Sequence, residues 1–237
     1  MSRRSRLRDE SGVTVIELMV TAIVGLVVFL GLFNFLDITS SGSQQVAARI
    51  QANRLARPAM QRIVDLLHST CVAPGIAPVL AGSSADSISF LHKTGSAVSP
   101  VPDKRTLTFN PTAGTLTDAT YTPGSGTAPN WTWPATPTPN PPVQILKPVQ
   151  REKVGSVETP VFRYFGFASN GTISTTPMVA PLDATEASQV VQVEVTFTVP
   201  SRTVQADPDG ALTLSDTVTM RFSPPGETAA SENLPCV

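Results

Sequence analysis

The sequence predicts an α+β protein in which a long N-terminal helix packs on an antiparallel β-sheet. Three observations predict it. The run from Leu18 to Phe33 carries no charged residue. Apolar residues then recur at helical spacing as far as Leu67. Beyond residue 75 the composition turns to Thr, Ser, Val, Pro and Gly, with short segments that alternate apolar and polar.

Residues 1–12 form a basic leader, with Arg3, Arg4, Arg6 and Arg8 set against Asp9 and Glu10. Positive flanks stay cytoplasmic, so the N-terminus is expected inside and the bulk of the chain outside. A secretory signal peptide places its apolar stretch before a small-residue cleavage site. Here the apolar stretch follows the small residue, Gly12. Cleavage at that point leaves the hydrophobic segment on the mature chain. The segment 13–36 is 24 residues long. That is about 36 Å of helix, enough to cross a bilayer core. Gly25 and Gly31 within it allow neighbouring helices to approach closely.

Glu17 stands near the start of this run. A charge inside a membrane segment costs roughly 2.5–3.5 kcal/mol on insertion scales and is read as functional by default. Its plain alternative is a carboxylate near a helix end that snorkels to the headgroups.

The set Gly12, Val13 and Glu17 followed by Leu18, Met19 and Val20 resembles the type IV prepilin signal, shared by type IV pilins and the pseudopilins of type II secretion. The resemblance implies that a membrane-embedded prepilin peptidase cuts after Gly12 and N-methylates the new amine on Val13. The family usually has Phe at that first mature position, and this chain has Val. The resemblance further implies that the Val13 amine of one subunit neutralises Glu17 of another during assembly. An opposite charge in a low-dielectric setting offsets desolvation. A plain single-pass anchor would share the topology and differ only after processing.

Residues 37–70 continue the helix. Asp37 to Ser43 is a polar break rich in poor helix formers, expected as a hinge or a melted turn. After it come Val46, Ile50, Met60, Ile63, Val64 and Leu67, with alanines between. This is an amphipathic helix with one face for a globular core. Pro58 removes a backbone donor and is expected to kink it. Arg49, Arg54, Arg57 and Arg62 lie on this stretch, as a solvated face or as contacts to acidic neighbours or nucleic acid. The helix is expected to stop between His68 and Pro74.

Residues 71–237 form the β-rich outer domain. Strands are expected at 87–92, 105–109, 114–116, 161–167, 190–199 and 212–222, with turns at Asn110-Pro111 and Asn170-Gly171. Phe162-Arg163-Tyr164, the segment 189–199 and Val218 to Phe222 loosely resemble the larger minor subunits of the same family, the J- or W-type. The type IV pilin-like fold is what that resemblance implies. The stretch 121–143 holds seven prolines and is expected as an irregular or polyproline-like loop. Trp131 and Trp133, the only tryptophans, either grip a partner or pin this loop onto its own domain.

Cys71 and Cys236 are the only cysteines. An exported domain permits a disulfide between them, closing a loop of 165 residues. Chain entropy puts its contribution at up to ~5 kcal/mol. Two free thiols are the alternative. His68 and His92 are isolated, and no Cys or His cluster has metal-site spacing. Asp207-Pro208-Asp209-Gly210 is better read as a hairpin turn than as a calcium loop. No catalytic constellation, phosphate loop, metal set or cofactor motif stands out, so an enzyme is not expected. Without the leader the chain has thirteen basic and sixteen acidic residues, which gives no general nucleic-acid affinity. The expected partners are prepilin peptidase, other pilin or pseudopilin subunits, and membrane lipid before assembly. The competing expectation is a pilus-tip adhesin or DNA-uptake subunit carried by Trp131, Trp133 and the helix arginines.

Overall fold

The computed structural model describes residues 14–71, 76–92, 102–122, 124–127, 130–200 and 211–220. The expected turn at 207–210 and the last residues of the expected strand at 221–222 lie outside them. The chain divides into two compact units, with the boundary between Ala47 and Ala48.

Helix α1 spans Val15–His68. Its start is an S/T-x-x-E capping box. The Thr14 backbone N–H donates to Glu17 Oε2 at 3.0 Å, and the Glu17 N–H donates to Thr14 Oγ1 at 3.3 Å. The expected break at 37–43 does not occur, and the helix runs through it. Thr39 donates to the carbonyl of Phe35 at 2.8 Å, so its hydroxyl is satisfied without leaving the helix. Once helix exists on both sides, extending it through a few weak formers costs less than starting a second nucleus. The helix also continues past Pro58.

In the first unit, the large apolar side chains from Val15 to Ile38 are 52–73% exposed around the whole circumference. An 18-residue window reaches a mean hydropathy of 2.6 with none of it buried. This helix is long and apolar enough to cross a membrane. Its polar side chains are matched locally: Thr21 donates to Glu17 O at 2.9 Å and Asn34 to Leu30 O at 2.9 Å. Such pairing is what an apolar solvent demands of them.

In the second unit, α1 buries Ala48, Ala52, Ala56, Ala59, Met60, Ile63 and Leu67 at spacings of one to four residues. From Ala52 to Leu67 these side chains share one core with both principal sheets. The first sheet has the order β1-β2-β3-β6, with β1 at Ser87–His92, β2 at Asp103–Asn110, β3 at Thr115–Tyr121 and β6 at Val143–Leu146. The second has the order β11-β10-β9, with β9 at Phe162–Phe165, β10 at Gln192–Val199 and β11 at Leu212–Thr219. All these pairings are antiparallel. A short ribbon joins β7 (Lys153–Val154) to β8 (Val157–Glu158), and α2 covers Ala184–Ser188. The α+β class and every expected strand centre are therefore present.

The expected single sheet is instead two. Gln150 and Thr198 form an isolated bridge between them, with bonds of 2.8 and 2.9 Å. The next hydrogen-bonded pair in that direction would be 148 with 200, and both are proline. Neither can donate to a ladder. The sheets are tied instead by single bonds. The Phe162 N–H donates to Ala85 O at 3.0 Å. The buried Tyr164 hydroxyl lies 2.9 Å and 3.0 Å from the carbonyls of Ser84 and Ser87 and donates to them. Burial pushes this phenol far above its ordinary pKa, so it remains a donor at any physiological pH.

Candidate functional site

Glu17 sits in the first turn of α1, where a carboxylate also complements the helix dipole. Both Thr14 bonds fall on Oε2, from the backbone N–H and, at 3.1 Å, from Oγ1. The local cap is thus a second use for the residue, beside the charge pairing expected of it. It was readable as Thr14-Val15-Ile16-Glu17. Gly12 and Val13, the expected processing positions, lie outside the described residues.

The helix arginines divide. Arg62 faces inward enough to reach Asp118 of β3 at 3.3 Å. Arg57 donates to Asn53 at 2.6 Å on its own helix. Arg49, Arg54 and Arg57 are exposed. The stretch 121–143 is not wholly irregular: β4 (Ser125–Thr127) and β5 (Asn130–Thr132) form a hairpin inside it. Gly126 makes this possible. Its φ is +104°, and a Cβ there would lie 2.5 Å from the Asn130 carbonyl oxygen. The Ser125 and Thr132 hydroxyls pair across the strands at 2.9 Å.

Trp131 and Trp133 are half-buried, with ring centroids 6.5 Å apart and planes at 55°. They pack with Ile76 and Leu80 against buried Cys71 and Leu91. The Trp133 indole donates to the carbonyl of Pro102 at 2.8 Å. These contacts hold the loop on its own domain. Cys71 is 2% exposed and follows the end of α1, with its N–H bonded to Leu91 O at 2.8 Å. No cysteine among the described residues is a free thiol. Cys236 lies outside them.

One cluster was not anticipated. In the first sheet, residues directly opposite one another share a face. The registers Phe90 with Arg105, His92 with Asp103, and Leu107 with Asp118 therefore place these six on the core face. One end of that face is apolar, with Ile88, Phe90, Leu107, Phe109 and Leu116 buried. The other end is charged. Asp118, 2% exposed, accepts from Arg105 at 2.9 Å and from Arg62 of α1 at 3.3 Å. His92, 3% exposed, lies in the same cluster. Its Nδ1, the Arg105 Nε and the Asp118 Oδ1 are buried and have no hydrogen bond among the described residues. The sequence signal was a charge at an inward position of two alternating strands, Arg105 in β2 and Asp118 in β3.

Among the described residues there is no group of three or more His, Cys, Asp or Glu able to hold a metal ion. Comparison with family models, with curated proteins and with solved structures gives no match for this chain.

Proposed function

We propose that this chain is a prepilin-like minor subunit. It is cut after Gly12 and N-methylated on Val13 by prepilin peptidase, and then assembles into a type IV pilus or type II secretion pseudopilus. One observation carries the reading: a single helix that is apolar on every side from Leu18 to Leu36, with Glu17 in the first turn as the one carboxylate between Val15 and Leu36. A plain anchor needs that residue only for its cap, which an uncharged Gln would fill as well. In this reading Glu17 receives the Val13 amine of a neighbouring subunit through the oxygen that the local cap leaves open. The leader remains in the cytoplasm, the β domain is exported, and Cys71 pairs with Cys236 in the oxidising exterior. The work of the protein is assembly.

The test is the intact mass of the membrane-bound chain, produced with and without a prepilin peptidase. Loss of residues 1–12 together with gain of one methyl group is the expected result with the peptidase. An unchanged N-terminus in its presence overturns the proposal. The packing of both tryptophans onto the domain accounts for them without an adhesin or DNA-uptake role.

A further inference from the structure

We propose that the charged end of the first sheet is an acid-sensitive latch that holds the C-terminal end of α1 on the β domain, with His92 as its trigger. The charged groups that face His92 are Asp103 and Arg105 on β2 and Asp118 on β3, with Arg62 of α1 reaching the site through Asp118. With the imidazole neutral, two guanidinium groups meet two carboxylates. Protonation adds a third cation to a largely buried site that has, among the described residues, no further anion to match it, and burial makes that imbalance costly.

The position of His92 decides what would give way. It is the last residue of β1, and it forms an isolated bridge with Thr70, two residues beyond the end of α1. Thr70 is itself buried and donates through its hydroxyl to Leu67 O at 2.6 Å. The next residue, Cys71, bonds to Leu91. The exit of α1 is thus stitched to the same two residues of β1 whose side chains face the charged cluster on one side and the tryptophans on the other. Among the described residues, His92 Nδ1 has no hydrogen bond to reward a second proton. Opening the bridge between Thr70 and His92 lets water reach the imidazole and relieves the imbalance.

Burial lowers the His92 pKa below the ordinary histidine value, and Arg105 lowers it further, while Asp103 and Asp118 act in the opposite sense. The folded latch therefore binds its proton less readily than the opened one. Its stability is full above the unfolded pKa and is lost as pH falls from there through the folded pKa. The latch stands whether or not the leader is cut.

The test uses the full chain in detergent micelles. Hydrogen exchange is followed at the amides of Thr70, Cys71 and His92 from pH 7.5 to pH 5.5, corrected for intrinsic rates. Exchange is expected to rise on acidification by up to about tenfold per pH unit, the limit for one coupled proton. In H92Q the rise should vanish. A wild-type chain with no pH response, or an H92Q chain with the wild-type response, overturns the proposal. Should H92Q fail to fold, the wild-type imidazoles decide. The chain has only two histidines, and the same chain unfolded in denaturant supplies the reference. His92 titrating at lower pH in the folded chain than in the unfolded one, in step with a red shift of the tryptophan fluorescence, supports the latch. His92 titrating alike in both, or without the fluorescence change, overturns it.

Discussion

Replacing Glu17 by Gln and by Ala separates two roles that the structure places on one side chain. In the capping box, the residue at the third helical position returns a hydrogen bond to the Thr14 N–H, here 3.0 Å long. Gln fills that position as well as Glu does. Ala does not, and losing a cap costs about 0.5–2 kcal/mol of local helix stability. A charge pair with the amine of a neighbour needs the charge itself. Removing one member of a desolvated pair costs about 3–5 kcal/mol, roughly a hundredfold or more in an assembly equilibrium. Incorporation of each variant into sheared filaments, measured against the membrane-bound pool, is the assay. Under the proposed function, E17Q keeps the helix and fails to assemble, and E17A fails at least as badly. If E17Q assembles like the wild type, the acid serves only as a cap and the pairing argument is wrong.

Other substitutions test the fold. Asp118→Asn should destabilise the outer domain by about 3 kcal/mol, because it leaves Arg105, 19% exposed, without its buried partner. Arg62 is 46% exposed and adds little to that loss. A melting temperature lower by roughly 6–12 °C in thermal unfolding is the expected result. Tyr164→Phe should cost about 1 kcal/mol in denaturant titration, since it removes the donor shared by two partly buried carbonyls. Trp133→Phe should loosen the β4–β5 hairpin, seen as faster local proteolysis, while leaving filament incorporation intact. Cys71→Ser should lower stability by about 2–5 kcal/mol if the exported chain is oxidised. Mobility on non-reducing gels with and without reductant reports the bond directly.

Elements with a local period could be read from the residues alone. The apolar run from Val15 onward, the alanine and isoleucine stripe from Ala48 to Leu67, and the alternating segments of β1, β9 and β10 each declare their element, because side-chain repeat and backbone geometry are the same fact. The capping box Thr14-Val15-Ile16-Glu17 is equally local, although the reading of Glu17 as a charge partner passed over it. The polar stretch 37–43 misled because propensity acts residue by residue, whereas helix is cooperative over turns. The proline-rich stretch misled because its composition says nothing of the β4–β5 pairing that Gly126 permits or of the apolar cluster that seats its tryptophans.

Only the tertiary structure decided the rest. Whether Arg62 faces solvent or Asp118 depends on a residue 56 positions away. The cluster of His92, Arg105 and Asp118 exists because register aligns three strands so that their charged positions meet at one end of a shared face. Likewise, one sheet became two where Pro148 and Pro200 would have stood opposite each other. Pairing register is a long-range choice, set by which faces can be buried together. No window of neighbouring residues contains it.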